Sequence, residues 1–581
     1  YEAYKALANL YGDVMQVTRI TKQVDVNWKS RAAITSRVLG ADVLATAKTT
    51  SMASNEFEVT NAAPVYVVTM VSGGGKTNNP QTKWARDEVD AMTVERLDSL
   101  RLDLADWWAD MWARSYVETG DEVLDRQYLA SIYQMASALD ANSPACPGMF
   151  GVWNMEDEMM HHGDIHLNYN TQSVFYNVYS SNRPELANSF YTFVEKMIPE
   201  GRRRAKNDMG KVHSSLAGKS CRGILFPVSA MGIGAFFGDY WNQSINAPFN
   251  VPLFNFGYEY TMDMDFLRDH TYPYLREIGD FYEDYIWKEP YGDSYRYCIR
   301  TGAHEGSWDL NPSSDVCFVE LTFRLLVKYS ELLGVDADRR DLWNDILGHL
   351  PTYQVMMPQH QPNQGKPVIS KNESEAGWDF PNHAINLHCI YPTEVLNRYS
   401  PADSVEYGRN TVYYYEVDQN GFTECAHELG MNAFGMAARM GGFDPNMLLS
   451  KLRVWADRAM KNLVVWEGME KISIIESVNS MMMESTNGIL LFYPCWPEGR
   501  KASFTRLRAK GAFLVSAAYD GSEVQPIELL SEKGCPCTFT NPWPGQEVTV
   551  KAGGVAQPLT QDGDRFTFAT TAGTTYTISK R

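Results

Sequence analysis

The stretch "FVELTFRLLVKYSELLG", residues 318–334, decides the fold class that the sequence predicts. Its apolar side chains recur at spacings of three and four residues, which is the pattern of an α-helix with one buried face. The stretch "NMLLSKLRVWADRAMKNLVVW", residues 446–466, repeats this pattern. Long loops rich in Gly, Pro, Asn and His lie between such stretches, and loops of that length in a compact domain are usually functional. We therefore predict that residues 117–502 form a helical domain with a functional site in its loops.

β-strands are predicted on both sides of this helical region. Residues 1–86 contain β-type runs such as "NEFEVTN" and "PVYVVTMV", and residues 503–581 contain "GAFLVSAAYDGSEV" and "GQEVTVKAGG". Residues 87–116 are rich in helix formers and charge, which predicts a linking helix. The fold class is therefore mainly α with flanking β, in the order β-domain, linker, helical domain, small β-domain.

Size and composition limit the possible functions. A chain of 581 residues is too long for one hydrophobic core and predicts two to four domains. The formal net charge of −19, without a long basic run, argues against nucleic acid as a partner, and no stretch is apolar enough to span a membrane. The 15 Trp and 32 Tyr favour a carbohydrate partner, because aromatic faces stack on sugars. No secretory leader stands at the start, which is typical of a mature or trimmed chain. Composition leaves the compartment open, and we expect a periplasmic or secreted protein. The sequence leaves the oligomeric state open.

Metals and cofactors are not indicated. The nine cysteines are scattered, and only Cys535 and Cys537 lie close together, which is a weak signal. His161 and His162 follow three acidic residues at 156–158, but adjacent histidines point in different directions. The segment "GFTECAHELG" lacks the second histidine of a zinc-protease helix. We therefore predict no metal site and no cofactor.

The stretch "HGDIHLNYNTQ", residues 162–172, alternates polar and apolar residues. In an extended segment, Asp164, His166, Asn168 and Asn170 would share one face. The simplest interpretation is a half-buried edge strand, but carboxamides and imidazoles are poor strand formers and good hydrogen-bonding groups. We therefore predict a site on this face, in which Asp164 orients His166.

Glu305 is the most suggestive single carboxyl group. It lies in the glycine-containing loop "TGAHEGSWDLNPSSD", residues 301–315, beside His304 and Trp308. Desolvation next to an aromatic ring would favour the protonated carboxyl that a general acid of a glycosidase needs. A solvated loop glutamate is the alternative interpretation.

Five ordered motifs resemble those of glycoside hydrolase family 95, the α-L-fucosidases and their relatives. They are "SPACPGMFGVWN", "DIHLNYNTQSVFYNVYSSNRPEL", "MDFLRDHTYPYLREIGDFYEDYI", "HAINLHCIYP" and "MMMESTNGILLFYPCWPEG". The resemblance implies an (α/α)6 barrel, preceded by a partial β-sandwich and followed by a C-terminal β-sandwich. It also implies hydrolysis of a terminal L-fucose, L-galactose or related sugar from an oligosaccharide or polysaccharide, with inversion at the anomeric carbon.

The resemblance also implies roles for particular residues. Asn168 and Asn170 would hold and polarise the attacking water, and Glu305 would be the general acid. The substrate-binding residues would be Trp153, His166, His304, Trp308, Trp378 and His383. The family's basic aspartate is missing here, because counting back from "ESTNG" places it at Met469. We therefore predict Glu470 as the base, with Glu476 and Glu467 as the alternatives.

Two other functions stay open from the sequence. A polysaccharide lyase on a similar toroid would use histidine, tyrosine and arginine, for which His304, His383 and Arg324 are available. A catalytically silent glycan-binding protein would have kept the pocket and lost the base. An assay of the products separates the three, since a lyase product absorbs in the ultraviolet and a binding protein forms none.

Overall fold

The computed structural model describes most of the chain, in two compact units. The described residues are 5–20, 31–60, 63–73, 81–152, 163–230, 240–303, 305–358, 365–373, 385–418, 432–457 and 469–581. The first unit comprises residues 1–113 and the second comprises residues 114–581.

The first unit is an antiparallel sheet followed by two helices. In sheet order its four strands are Lys5–Tyr11, Val14–Ile20, Arg31–Leu39 and Tyr66–Gly73, and Val43–Lys48 and Ala53–Phe57 form a separate hairpin. The helices are Gln81–Asp90 and Val94–Ala113. Val14, Val68 and Val89 form a buried cluster, so the first helix covers one face of the sheet. This helix begins before residue 87, where the sequence predicted the β-domain to end.

Helices dominate the first part of the second unit. Their bounds are Glu122–Ala138, Asn170–Ser180, Asn188–Asn207, Met209–Val212, Val251–Glu259, Met264–Phe266, Tyr272–Tyr285, Ser313–Leu333, Arg340–His349, Ala402–Asp418, Asn432–Met440, Pro445–Asp457 and Ile474–Met482. Shorter helical turns include Met469–Ser473, and Leu267–Thr271 is a π-helical turn. The mainly helical character predicted for this region is therefore present.

The helix Ser313–Leu333 follows the pattern that its sequence predicts. Phe318, Thr322, Leu326 and Tyr329 are buried along one side of it, at helical spacing. The helix ends at Gly334, whose φ of 69° lies in the left-handed region that glycine adopts without strain. The hydrophobic period and the terminal glycine therefore determine this element locally.

Two larger sheets complete the second unit. The first has seven strands, in the order Val555–Ala556, Val548–Ala552, Thr574–Lys580, Ile527–Ser531, Phe513–Tyr519, Ala502–Ala509 and Tyr116–Glu118. The second has five, in the order Met483–Thr486, Ile489–Phe492, Cys537–Thr540, Arg565–Phe568 and Thr560–Asp562. β-structure thus begins at Met483, earlier than the predicted boundary at 503, because a short apolar run such as "ILLF" has no period that separates strand from helix.

Small two-stranded elements lie between the helices. Their pairs are Ile165–His166 with Ser229–Ala230, Trp287–Tyr291 with Ser294–Cys298, Arg300–Thr301 with Asp309–Leu310, and Val355–Met356 with Val368–Ile369. The first of these pairs contains part of the stretch 162–172 and the third contains part of the stretch 301–315, in which the sequence predicted the site.

A chain of alternating charges runs through the second unit. Its members, in order, are Lys328, Glu259, Lys510, Glu394, Arg439 and Glu476, and neighbouring members lie 2.5 to 3.0 Å apart. Lys510 lies between strands Ala502–Ala509 and Phe513–Tyr519, so the chain connects the C-terminal sheet with the helices. Burial alone would raise the pKa of Glu259, but the charges of Lys510 and Lys328 hold it at about 2.

The described residues were searched for membrane-spanning helices and for metal sites. No helix there is long and apolar enough to cross a membrane. Among the same residues, no three His, Cys, Asp or Glu side chains cluster as a metal site would require. Eight cysteines lie in this part of the chain, all unbridged, and seven of them are buried.

Asp315 is a buried carboxyl group at the start of the helix Ser313–Leu333. Its Oδ2 accepts a hydrogen bond from the hydroxyl of Ser314 at 3.1 Å, whereas no described group donates to its Oδ1. Burial raises the pKa of Asp315 from 3.8 to about 8. The folded state therefore favours the protonated form.

Asp315→Asn should stabilise the protein at alkaline pH. Below pH 3.8 the carboxyl is protonated in both the folded and the unfolded chain, and the folded state has its full stability. This stability is lost as the pH rises from 3.8 to about 8, because the unfolded chain releases the proton first. The variant should therefore exceed the wild type in unfolding free energy by roughly 1 to 3 kcal/mol at pH 9, and this advantage should disappear near pH 4. Thermal denaturation across this pH range measures the difference. The exposed Asp338→Asn is the control, and an advantage that does not change with pH would contradict the assignment.

Candidate active site

The stretch from Asp164 to Asn170 is a short strand followed by a turn. Ile165 and His166 pair with Ser229–Ala230, and the N–H of Leu167 donates to the carbonyl of Val228 at 2.7 Å. The helix Asn170–Ser180 begins immediately afterwards. The prediction of an extended segment through residue 170 is therefore wrong, and all of residues 164–170 are buried.

Tyr169 explains why the strand stops. Its φ of 109° is unusual for any residue but glycine, so the chain turns here. Its N–H donates to Oε1 of Gln172 at 3.2 Å, and Nε2 of Gln172 donates to the carbonyl of Leu167 at 2.9 Å. The Tyr169 ring stacks on His388 with 5.4 Å between ring centroids. The nearby side chain of Gln172 and the distant ring of His388 thus stabilise a turn that the alternating pattern does not predict.

Asn168 meets Glu305 across 137 residues of sequence. Nδ2 of Asn168 donates to Oε1 of Glu305 at 3.1 Å. Oδ1 of Asn168 is buried and has no hydrogen-bond donor among the described groups. One amide therefore contacts the predicted acid through its nitrogen and presents an acceptor through its oxygen.

His166 is oriented by Asp164, as the sequence predicted. Nδ1 of His166 lies 3.2 Å from Oδ1 of Asp164, and both side chains are buried. This contact directs the protonated Nδ1 at the carboxylate. The indole of Trp241 lies against the imidazole, with 5.7 Å between the ring centroids.

Residues 302–309, which carry Glu305 and are called the acid loop below, are held by Asn242. The carbonyl of Asn242 accepts from the N–H of Gly302 at 2.7 Å, and its Nδ2 donates to the carbonyls of Gly306 and Ser307 at 2.9 Å each. Asn242 has a φ of 62°, in the left-handed region that asparagine tolerates better than most residues. Both ends of the turn around Glu305 are therefore attached to one side chain and its backbone.

Asp309 closes the same loop from inside. Its Oδ2 accepts from the N–H of Ala303 at 3.0 Å and from the hydroxyl of Ser307 at 2.5 Å. Glu305 itself is exposed, and the half-buried Trp308 stacks on His213 with 4.0 Å between the ring centroids. The prediction that a neighbouring aromatic ring desolvates Glu305 is therefore wrong, because Trp308 packs on His213.

The segment predicted to supply the base adjoins the site through its backbone. The N–H of Met469 donates to the carbonyl of Met149 at 3.0 Å, and the N–H of Met149 donates to the carbonyl of Asp164 at 2.8 Å. The turn Met469–Ser473 also contacts the helix Asn170–Ser180. Glu470 belongs to this turn, although its side chain, like all of Glu467, lies outside the described part of the structure.

Glu476 is occupied elsewhere. Its Oε1 accepts from Nη2 of Arg439 at 2.6 Å, and its Oε2 accepts from the hydroxyl of Ser180 at 2.5 Å. Both carboxylate oxygens of Glu476 therefore already accept hydrogen bonds from buried side chains. A base that must accept a proton from water needs a free oxygen, so Glu476 does not fit the role of alternative base.

Several predicted residues fall outside the described ranges. They are the substrate-binding candidates Trp153, His304, Trp378 and His383, the metal candidates His161 and His162, and the whole of the segment "GFTECAHELG". Arg324, a candidate for lyase chemistry, lies on the exposed side of the helix Ser313–Leu333 and forms an ion pair with Glu320. The structure thus gives the lyase interpretation no support from Arg324.

Sequence reasoning missed Trp241, Asn242 and Asp309. Trp241 acts on the acid loop through its carbonyl, Asn242 through its carbonyl and amide, and Asp309 through one carboxylate oxygen. Trp241 and Asn242 lie outside every stretch that the sequence analysis singled out. The only local signal was the proximity of Asp309 to Glu305 in sequence. The contact of Asn242 with the loop spans more than 60 residues.

A glycoside hydrolase needs a carboxyl group that can reach substrate, and Glu305 is exposed on a loop that Asn242 and Asp309 hold. Residues 113–421, more than half of the chain, match the sequence profile of the glycosyl hydrolase family 95 catalytic domain. The chain therefore belongs to glycosyl hydrolase family 95 and is a glycosidase.

One solved structure shares the fold at low sequence identity. The protein named "Putative kojibiose phosphorylase from human microbiome" is similar over 100% of this chain and 76% of its own, with a TM-score of 0.60 and 12% identity. An α-L-rhamnosidase from Dictyoglumus thermophilum matches 81% of this chain and 50% of its own, with a TM-score of 0.43 and 12% identity. No curated protein matches the chain.

Asn242→Gly should weaken catalysis while leaving the fold intact. Glycine keeps the left-handed backbone but removes the two side-chain hydrogen bonds to the acid loop, each worth roughly 0.5 to 1.5 kcal/mol. We expect kcat/KM to fall about tenfold or more on an aryl glycoside with a poor leaving group, and less on one with a good leaving group. Steady-state kinetics on the two substrates measure this. Asn487→Gly, at another left-handed asparagine with a φ of 51°, should change neither value, and equal losses in both variants would refute the role of Asn242.

Proposed function

We propose that the protein is an inverting exo-glycosidase that removes an α-linked L-fucose, L-galactose or related terminal sugar from a complex glycan. The observation that carries the proposal is the contact of Asn168 with Glu305 inside a family 95 catalytic domain. We also propose that the helical region is an (α/α)6 barrel, and that the protein works outside the cytoplasm, where such glycans occur.

The acid is Glu305. A glycosidase needs a carboxyl group that gives its proton to the departing oxygen, and the group must reach substrate. Glu305 is exposed on a loop that Asn242 and Asp309 hold from two sides, so its position is fixed while its carboxyl stays accessible. Nδ2 of Asn168 donates to the Glu305 carboxyl at 3.1 Å, so we infer that substrate displaces this contact before the proton is transferred.

The attacking water lies on the other side of Asn168. Its buried Oδ1 accepts a hydrogen bond from this water, and an amide cannot remove a proton at ordinary pH, so a nearby carboxylate acts as the base. We assign the base to Glu470, because the turn Met469–Ser473 contacts the helix that starts at Asn170 and bonds to Met149, whose N–H in turn donates to the carbonyl of Asp164. Inversion requires about 6.5 to 9.5 Å between the carboxyl groups of acid and base, which leaves room for the water.

Glu305→Gln should slow the hydrolysis of substrates with a poor leaving group much more than that of substrates with a good one. The amide keeps the shape of the side chain but has no proton to give, so hydrolysis of a glycoside with a poor leaving group should fall by roughly 10²- to 10⁴-fold. Hydrolysis of the corresponding glycosyl fluoride should be nearly unchanged, because its fluoride ion leaves without protonation. Kinetics on α-L-fucosides of both kinds measure this, with the exposed Glu331→Gln as the control. Equal losses on the two substrates would exclude Glu305 as the acid.

Glu470→Ala should give a protein whose activity returns with an added anion. Azide or formate takes the place of the missing carboxylate, whereas it should not restore Glu476→Ala, in which the buried partner of Arg439 is lost. Proton NMR on the wild type should show the β-anomer as the first sugar released from an α-glycoside. If neither Glu470→Ala nor Glu467→Ala lowers the rate, the family mechanism does not apply to this chain. Hydrolysis of the glycoside by the wild type would exclude the alternative of a catalytically silent glycan-binding protein.

A further inference from the structure

A β-hairpin stands immediately before the acid loop. Its strands Trp287–Tyr291 and Ser294–Cys298 are antiparallel, so alternate residues point to opposite faces. On one face, the hydroxyls of Tyr295 and Tyr297 donate to the carboxylate of Asp345, at 2.5 and 2.8 Å, and Nζ of Lys288 lies 3.0 Å from it. The hairpin is therefore fastened to the helix Arg340–His349 by this face.

The opposite face presents two aromatic rings around a fixed charge. Trp287 is 39% exposed and Tyr291 is 59% exposed, and both point to this face because they are four residues apart on one strand. The guanidinium of Arg296 lies 4.6 Å from the centroid of the Tyr291 ring and bonds to Glu289 at 2.6 Å. Exposed aromatic rings on a hairpin that is fastened through its other face offer flat surfaces on which a sugar ring can stack.

This face is continuous with the acid loop. Nη2 of Arg296 donates to Oε1 of Glu373 at 2.8 Å, and Nδ2 of Asn311 donates to Oε2 of the same carboxylate at 2.5 Å. Asn311 directly follows the strand pair Arg300–Thr301 and Asp309–Leu310, which closes the base of the acid loop. One carboxylate therefore connects the aromatic face with the segment that carries Glu305.

We propose that the hairpin face formed by Trp287, Glu289, Tyr291 and Arg296 is a binding platform for the aglycone, the sugar residues on the leaving-group side of the bond that is cut. The proposal rests on the proposed function, since an acid must stand on the leaving-group side of the substrate. The C–H faces of pyranose rings stack on the two aromatic rings, and the sugar hydroxyls bond to the carboxylate and guanidinium between them. A neutral oligosaccharide fits this face because Arg296 is already paired with two carboxylates, those of Glu289 and Glu373, and so needs no anionic ligand.

The test compares a long substrate with a short one. Trp287→Ala and Tyr291→Ala should each raise KM about tenfold for a fucose-terminated xyloglucan oligosaccharide, because each removes one stacking surface. Both variants should leave kcat/KM for 4-nitrophenyl α-L-fucoside unchanged, because the leaving group of this substrate contains no sugar residue that could bind to the hairpin. Tyr291→Phe, which keeps the ring, should behave like the wild type. Tyr133→Ala, at a tyrosine 53% exposed on another element, is the matched control.

The outcomes distinguish the platform from the proposed activity. If the wild type hydrolyses both substrates and the hairpin variants keep the wild-type KM for the oligosaccharide, the platform is refuted and the activity stands. If the wild type hydrolyses neither substrate, the activity is refuted. Affinity electrophoresis in a gel with soluble xyloglucan then tests whether the hairpin face binds the oligosaccharide. Retardation of the wild type but not of the Trp287→Ala, Tyr291→Ala double variant supports it, and equal mobility overturns it.

Discussion

The alternating charge chain around Glu394 is the constraint on which the second unit depends. Glu394 bonds to Arg439 through one oxygen and to Lys510 through the other, at 2.7 and 2.5 Å, while its own backbone holds a φ of 55°. Removal of one partner from such a buried pair typically costs about 3 to 5 kcal/mol, because it leaves an uncompensated charge. The chain therefore fixes the helix Ile474–Met482 relative to the C-terminal strands, and with it the preceding turn that contains Glu470.

The candidate site is built from loops that rigid elements position. The charge chain fixes the helix Ile474–Met482, whereas the acid loop is held by single residues, through the amide of Asn242 and the carboxylate of Asp309. Such a division suits a glycosidase, because the acid must be fixed to a fraction of an ångström while its carboxyl remains open to substrate. The aromatic hairpin adds a surface that immediately precedes the acid loop in the chain.

The sequence predicted elements well where the information was local. The helix of residues 318–334 is present with its terminal glycine, and the contact of Asp164 with His166 follows from their spacing of two residues. The alternating stretch was misleading beyond His166, because Tyr169 and Gln172 stop the strand through contacts that a two-residue period does not reveal. Glu476 looked like a possible base in the sequence, yet Arg439, far away in the chain, occupies its carboxylate.

The sequence by itself determined the mainly helical class with flanking strands, the family, and Glu305 and Asn168 as candidate residues, since periodicity and motif order are written along the chain. Only the tertiary structure decided that these two side chains meet, that Asn242 holds the acid loop and that Trp308 packs on His213. The physical reason is that a hydrogen bond between residues 137 positions apart depends on how every intervening element packs. No local pattern of residues contains that information.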